Sequence, residues 1–246
     1  STLRDPALVV SAIAQALGVR EVGTRDAREG LLAFLGDRRM LLVLDNFEHL
    51  LTAAPLVATL LERCPGLVVL AASREALGLR AEQRFRVAAL TFPGAHPVPT
   101  AAVANYAAVG FFLTRGRAVR PEFAFTHENA AAVVKICRSL DGLPLALELA
   151  AARIAFLAPE ALAARLDHPL AILVGGARDL PDRQRTLGAT LDWSYDLLTA
   201  EEQALFARLG CFSGGWTLAA TTAIAGSDDP FEGIASLAEK SLIRAT

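Results

Sequence analysis

The chain is short of every residue type that would staple, anchor or metallate a small protein. Its 246 residues include three cysteines, Cys64, Cys137 and Cys211. They stand more than 70 residues apart, odd in number and with no C-x-x-C pair, so neither a disulfide framework nor a zinc site is expected. A reducing, cytoplasmic setting suits that usage. The four histidines, His49, His96, His127 and His168, lack the H-E-x-x-H spacing of a metalloprotease. No apolar run reaches the roughly 18 residues that cross a bilayer, so no membrane partner is expected. The opening Ser-Thr-Leu-Arg-Asp-Pro has no apolar signal core; without a methionine it reads as a cut within a longer protein. No G-x-S-x-G occurs, which disfavours a serine-triad hydrolase. Lys135 and Lys240 are the only lysines among 24 basic residues, and the formal charge is −2, so the whole chain exerts no electrostatic pull on nucleic acid.

What is present is apolar residue in quantity. At 53% hydrophobic and 20% charged, the chain can bury a sizeable core and shows no sign of disorder. Helical spacing runs from Asp5 to Leu17, with Asp5-Pro6 as start and Gly18 as stop, and again from Asp26 to Leu35. Met40-Leu-Leu-Val-Leu-Asp45 is a continuous apolar run of the kind that forms a strand buried on both faces of a parallel sheet. A helix near His49–Arg63 and a second such run, 67–73, follow, which implies a crossover between parallel strands. Residues 84–87 alternate and predict a third strand.

Residues 91–100, with three prolines and a glycine, read as a linker. Helices are expected over 101–119, 126–140 (N-capped by Thr126), 143–154, 159–166, 182–197, 201–209, 217–225 and 231–237, with a loop over 170–181. Thr199-Ala-Glu-Glu202 carries a capping-box signature. The fold class is therefore α/β followed by all-α. Residues 1–90 form the partial α/β domain, 91–100 the linker, 101–168 a helical domain and 180–246 a further small domain.

Three segments are candidates for chemistry. Asp45 follows a buried strand, where α/β sheets bind ligands, and there an acid can hold magnesium; strand ends also take aspartate simply to cap a turn. Arg74 follows the next strand and could reach a phosphate in the same crevice, or be a surface arginine on a turn. Asp141-Gly142-Leu143-Pro144 is explained by helix punctuation alone. The arginines at 74–86 and 115–120 read as solvated faces. Trp193, Tyr195, Phe206, Phe212 and Trp216 read as the core of the last domain.

Taken together, LLVLDNFEHL (41–50), VLAASRE (69–75), CRSLDGLPLALELAAARI (137–154) and the stretch from RQRTLGATLDWSYDLL to LFARLGCFSGG (183–215) resemble the STAND group of AAA+-related P-loop NTPases. That group includes the NB-ARC switches and bacterial regulators of the LuxR and antibiotic-regulator kinds. The resemblance covers nearly the whole chain. It implies a partial P-loop sheet, a helical domain and a winged helix that closes over the site in the resting, ADP-bound state. It implies Asp45 as the magnesium ligand, Arg74 as the γ-phosphate sensor, and Gly142, Leu143 and Pro144 at the adenine.

Two departures stand out. Asn46 occupies the place of a second acid, with Glu48 as a substitute two residues on, so slow hydrolysis is expected. The phosphate-binding G-x-x-x-x-G-K-[ST] is missing: Lys135 precedes Ile136, and Lys240 follows Glu239. In the family this loop lies upstream of the segment resembling 3–18. The resemblance thus implies an ATP/ADP switch inside a longer signalling or transcription regulator. It would use magnesium, be joined to sensor and output domains, and self-assemble on activation. This segment is not expected to bind DNA directly, and alone it should bind nucleotide poorly and be inactive as an ATPase. The alternative is a non-catalytic interaction or DNA-contacting module that has lost nucleotide chemistry.

Overall fold

Five consecutive aliphatic residues bounded by Arg39 and Asp45 have no helical face to offer, and in the computed structural model they form strand β1, Met40–Leu44. The structure describes residues 3, 5–19, 27–94, 99–166, 169–173, 185–213, 215–226 and 229–243. The expected helix starts at Asp26 and Asp182, most of the expected loop over 170–181, His96 and His168 lie outside them. Two compact units are present, one comprising 1–85 and 204–246, the other 86–203. The structure is mostly helical with one small parallel sheet, an α/β element combined with helices.

In the first unit, the carboxylate of Asp5 accepts from the Ala7 N–H at 2.9 Å and opens a turn that runs into helix α1, Val9–Ala16. Helix α2 is Ala27–Leu35. After β1, two 3₁₀ turns, Phe47–His49 and Leu51–Ala53, lead into α3, Ala54–Arg63. Strand β2, Leu67–Ala71, then pairs parallel with β1 from Met40↔Leu67 to Leu44↔Ala71. Gly66 makes the return possible. A Cβ there would lie 2.4 Å from the Arg38 carbonyl oxygen, and the Gly66 carbonyl accepts from the Met40 N–H. Val9, Ile13, Leu31, Leu35, Phe47, Val57 and Leu60 form the core under this sheet, with Leu42, Leu44 and Val69 packed on it.

The opposite face corrects the expectation of two-sided burial. Leu41, Val43, Val68 and Leu70 are 59–61% exposed, so each strand alternates like a half-covered one. The reason is layer count: the core cluster that gathers Leu42, Leu44 and Val69 covers one face only. The third strand is also corrected. Residues 84–87 form no strand, and Phe85 and Val87 are 89% and 84% exposed. Alternation predicts a strand only where one face has something to pack on, and here neither apolar residue does. The preceding loop is instead tied by Glu82, whose carboxylate accepts from the N–H groups of Leu77, Gly78 and Leu79.

The second unit is helical. The expected helix over 101–119 is two, α4 (Thr100–Val103) and α5 (Ala107–Val119), broken at 104–106. Helix α6, His127–Ser139, is opened by Thr126 and Asn129, each side chain bonded to the other's backbone N–H. Then come α7 (Pro144–Ala152), α8 (Pro159–Ala163), α9 (Pro169–Ile172), which replaces part of the expected loop, and α10 (Leu187–Tyr195). Val109, Phe112, Val133, Ile136, Leu147, Ile154 and Leu162 are wholly enclosed. Phe112 meets Phe123 edge-on, with centroids 6.3 Å apart, a geometry worth about 0.5–1.5 kcal/mol beyond its burial. Gly116, in the last turn of α5, leaves the space that the Phe123 ring fills.

Helix α11, Ala200–Leu209, begins with the expected capping box: the Glu202 carboxylate accepts from the Thr199 N–H at 2.7 Å. Helices α12 (Leu218–Ala225) and α13 (Phe231–Glu239) follow. Arg208 donates to the Ala225 carbonyl, the last residue of α12. Among the described residues no strand follows Ala71, and no helix is long and apolar enough to cross a membrane.

Candidate functional site

Parallel pairing puts the carboxyl ends of β1 and β2 side by side; Asp45 follows the first directly and Arg74 comes three residues after the second. The ladder continues one step past the strands: Ala72 N–H donates to the Leu44 carbonyl at 2.8 Å, and Phe47 N–H to the Ala72 carbonyl at 3.0 Å. Asp45 and Asn46 are therefore squeezed outward between two bonded positions. Asn46 takes a left-handed conformation, φ 56°, which asparagine tolerates better than most residues. Its N–H donates to the Asp45 carboxylate at 2.9 Å. Phe47, fully buried, anchors the turn from below. Asp45 stays exposed at the sheet edge.

Glu48 turns the other way. Its side chain is only 5% exposed and faces Arg74, with Oε1 3.9 Å from Nε; the arginine side chain is 33% exposed. Arg74 sits in a turn in which the Ser73 hydroxyl accepts from the Glu75 N–H. The Arg74 carbonyl in turn accepts from the Ser241 hydroxyl at 3.1 Å, just past the end of α13. Asp45, Asn46, Glu48 and Arg74 thus share one sheet edge. No local signal announces Ser241, because its partner lies 167 residues away.

Gly142, Leu143 and Pro144 belong to the other unit. Asp141 and Gly142 both have positive φ, 49° and 65°, and end α6 with N–H bonds back to the carbonyls of Arg138 and Cys137. A Cβ on Gly142 would lie 2.0 Å from the Leu90 carbonyl oxygen, and the Gly142 carbonyl accepts from the Leu90 N–H at 3.0 Å. Glycine is needed there for close backbone approach. Residues 90–93, within or beside the expected linker, are anchored by this bond, by Ala108 N–H to the Thr91 carbonyl, and by the buried ring of Pro93. Leu143 and Pro144 are exposed, with Pro144 opening α7.

Magnesium fits this edge in a limited way. Among the described residues no group of three or more His, Cys, Asp or Glu side chains could hold a metal. Asp45 offers one exposed carboxylate, and magnesium commonly takes one or two carboxylates and completes its shell with water and phosphate oxygens. Of the cysteines, Cys64 and Cys137 are buried and Cys211 exposed. Burial pushes the Cys137 thiol up to about 12, so it stays a neutral core group.

No family profile matches the chain, and no solved structure matches it. Among curated proteins, it is 44% identical over 247 residues to a "Putative HTH-type transcriptional regulator" of Mycobacterium tuberculosis and to its counterpart in Mycobacterium bovis. That match takes in 98% of this chain but 27% of the relative. An uncharacterized Mycobacterium tuberculosis protein is 38% identical over 238 residues, 96% of this chain and 58% of the relative. The chain thus spans about a quarter of the regulators' length and somewhat over half of the shorter relative's, and across nearly all of its own length it is similar to part of mycobacterial proteins that bear a transcription-regulator name.

Proposed function

We propose that the chain is an ATP/ADP-binding switch segment of a transcription regulator. The observation that carries this reading is the placement of Asp45 directly after β1 and of Arg74 three residues after the end of the adjacent parallel β2, on the edge where open α/β sheets take ligands. An exposed acid and a partly exposed arginine on one such edge suit a magnesium-bound phosphate chain. Asp45 would be the metal's protein ligand and Arg74 the terminal phosphate's. Asn46 cannot accept a proton as a second acid would, which agrees with a switch that hydrolyses slowly. The regulators' names support the transcription link. We read α10–α13 as the helical part of a winged-helix domain that reports nucleotide state and does not grip DNA: the described basic residues after Arg165 are only Arg185, Arg208 and Lys240.

Isothermal titration with magnesium-ATP and magnesium-ADP tests the reading. The chain alone should bind weakly, because it has no lysine and glycine loop for the β-phosphate. A form extended at its amino end by a segment bearing G-x-x-x-x-G-K-[ST] should bind at least about a hundredfold tighter, the effect of two charge-assisted hydrogen bonds. Arg74→Gln should favour ADP over ATP in that form. If the extended form binds neither nucleotide, the interaction-module reading replaces this one.

A further inference from the structure

We propose that Glu48 is the resident counter-ion of Arg74 and holds its guanidinium against the sheet edge until a phosphate displaces it. The inference rests on the nucleotide reading above and assigns Glu48 a different part from that of a second catalytic acid. The two acids of the β1 turn are segregated by the backbone. Asp45 points to solvent at the crevice edge, whereas Glu48, placed two residues past the left-handed Asn46, is 5% exposed and directed at Arg74. A carboxylate so poorly solvated needs a cation beside it, and the guanidinium supplies one. A glutamate facing a guanidinium from inside the fold is not placed to take a proton from a water in the crevice. It is placed to orient the arginine.

The pair is also built to be broken. Its closest approach, Nε to Oε1, is 3.9 Å, an ion pair without a hydrogen bond. Arg74 keeps 33% of its side chain in solvent, so incoming oxygens can reach it. A phosphate at hydrogen-bond distance makes shorter, bidentate contacts with the same guanidinium and outcompetes a carboxylate held at arm's length. Glu48 is therefore a positioning residue that acts through Arg74, setting how much phosphate is needed to recruit it.

The whole 246-residue chain can be tested with inorganic tripolyphosphate, following the Nε–H signal of Arg74 by NMR. The signal is assigned by its loss in Arg74→Lys. In the wild type it should stay sharp and move only at high tripolyphosphate. In Glu48→Gln it should broaden without ligand and respond at about tenfold lower concentration. Glu48→Asp, which keeps the charge on a shorter side chain, should fall between and guards against a folding defect of the glutamine variant. An Arg74 signal indifferent to both changes, or an unchanged tripolyphosphate response in Glu48→Gln, overturns the proposal. Magnesium-ATP and magnesium-ADP titrated into the amino-terminally extended form separate the two readings. If the 246-residue chain responds to tripolyphosphate as expected but the extended form binds neither nucleotide, the counter-ion role stands and the nucleotide reading fails.

Discussion

The two units of this chain solve the burial problem to different degrees. The helical unit closes on itself: Phe112, Val133, Ile136, Leu147 and Ile154 are all inaccessible to solvent. The sheet unit closes on one side and leaves Leu41, Val43, Val68 and Leu70 open on the other. A helix buries one stripe and is satisfied by neighbouring helices, whereas a parallel strand has two apolar faces and needs a layer on each. The comparison teaches that similar hydrophobic content does not give similar closure. The number of layers decides.

Mutation can break or sharpen that contrast. The largest effect should come from Phe112→Ala, which empties the centre of the helical unit and loses an edge-on partner for Phe123; about 3–5 kcal/mol of stability should disappear in urea unfolding. A loss below 1 kcal/mol would mean that this core is not packed as described. Glycine-to-alanine changes come next, because both units contain one backbone crossing. Gly142→Ala must push the Leu90 carbonyl away from a positive-φ position, and Gly66→Ala must displace the Arg38 carbonyl. Each should cost about 2–4 kcal/mol, with Gly142 the more severe.

A pH series gives a smaller, graded effect. The folded Cys137 thiol titrates near 12, well above a thiol in the unfolded chain. Above pH ~9 the unfolded state has released a proton that the folded state keeps, so stability falls as pH rises, by up to about 1.4 kcal/mol per unit. Cys137→Ala should flatten that slope. The smallest effect is expected on the bare sheet face. Val43→Thr and Val68→Thr should each change stability by less than about 0.5 kcal/mol. A cost near 2 kcal/mol for either would show that the face is covered in solution, and the contrast between the units would then collapse.

Much of this was legible in the amino-acid order, for identifiable reasons. β1 and β2 announce themselves as uninterrupted aliphatic runs, and the Thr126 and Thr199 caps are local chemistry within four residues. The neighbourhood of Asp45 and Arg74 followed from strand ends alone. The failures share a cause. Residues 84–87 have the right alternation but no surface to alternate against, and one face of the sheet lacks the layer its composition suggests. Both depend on what else is nearby, which spacing cannot express. Glu48 could be named from its place after β1, but its inward turn toward Arg74 depends on the left-handed Asn46. The Leu90–Gly142 bond joins residues with no shared pattern.

The Ser241–Arg74 hydrogen bond has a consequence for synthesis. Its partners belong to a unit assembled from both sides of the helical one, and they are 167 residues apart. At 5–20 residues per second, a ribosome needs roughly 8–33 s to travel from one to the other. Throughout that interval the turn that carries Arg74 waits for its partner, because the later helices of the same unit do not yet exist. The helical unit, contiguous in the chain, can mature during the wait. A nascent chain of this protein therefore keeps its first unit incomplete until the helical one has been made.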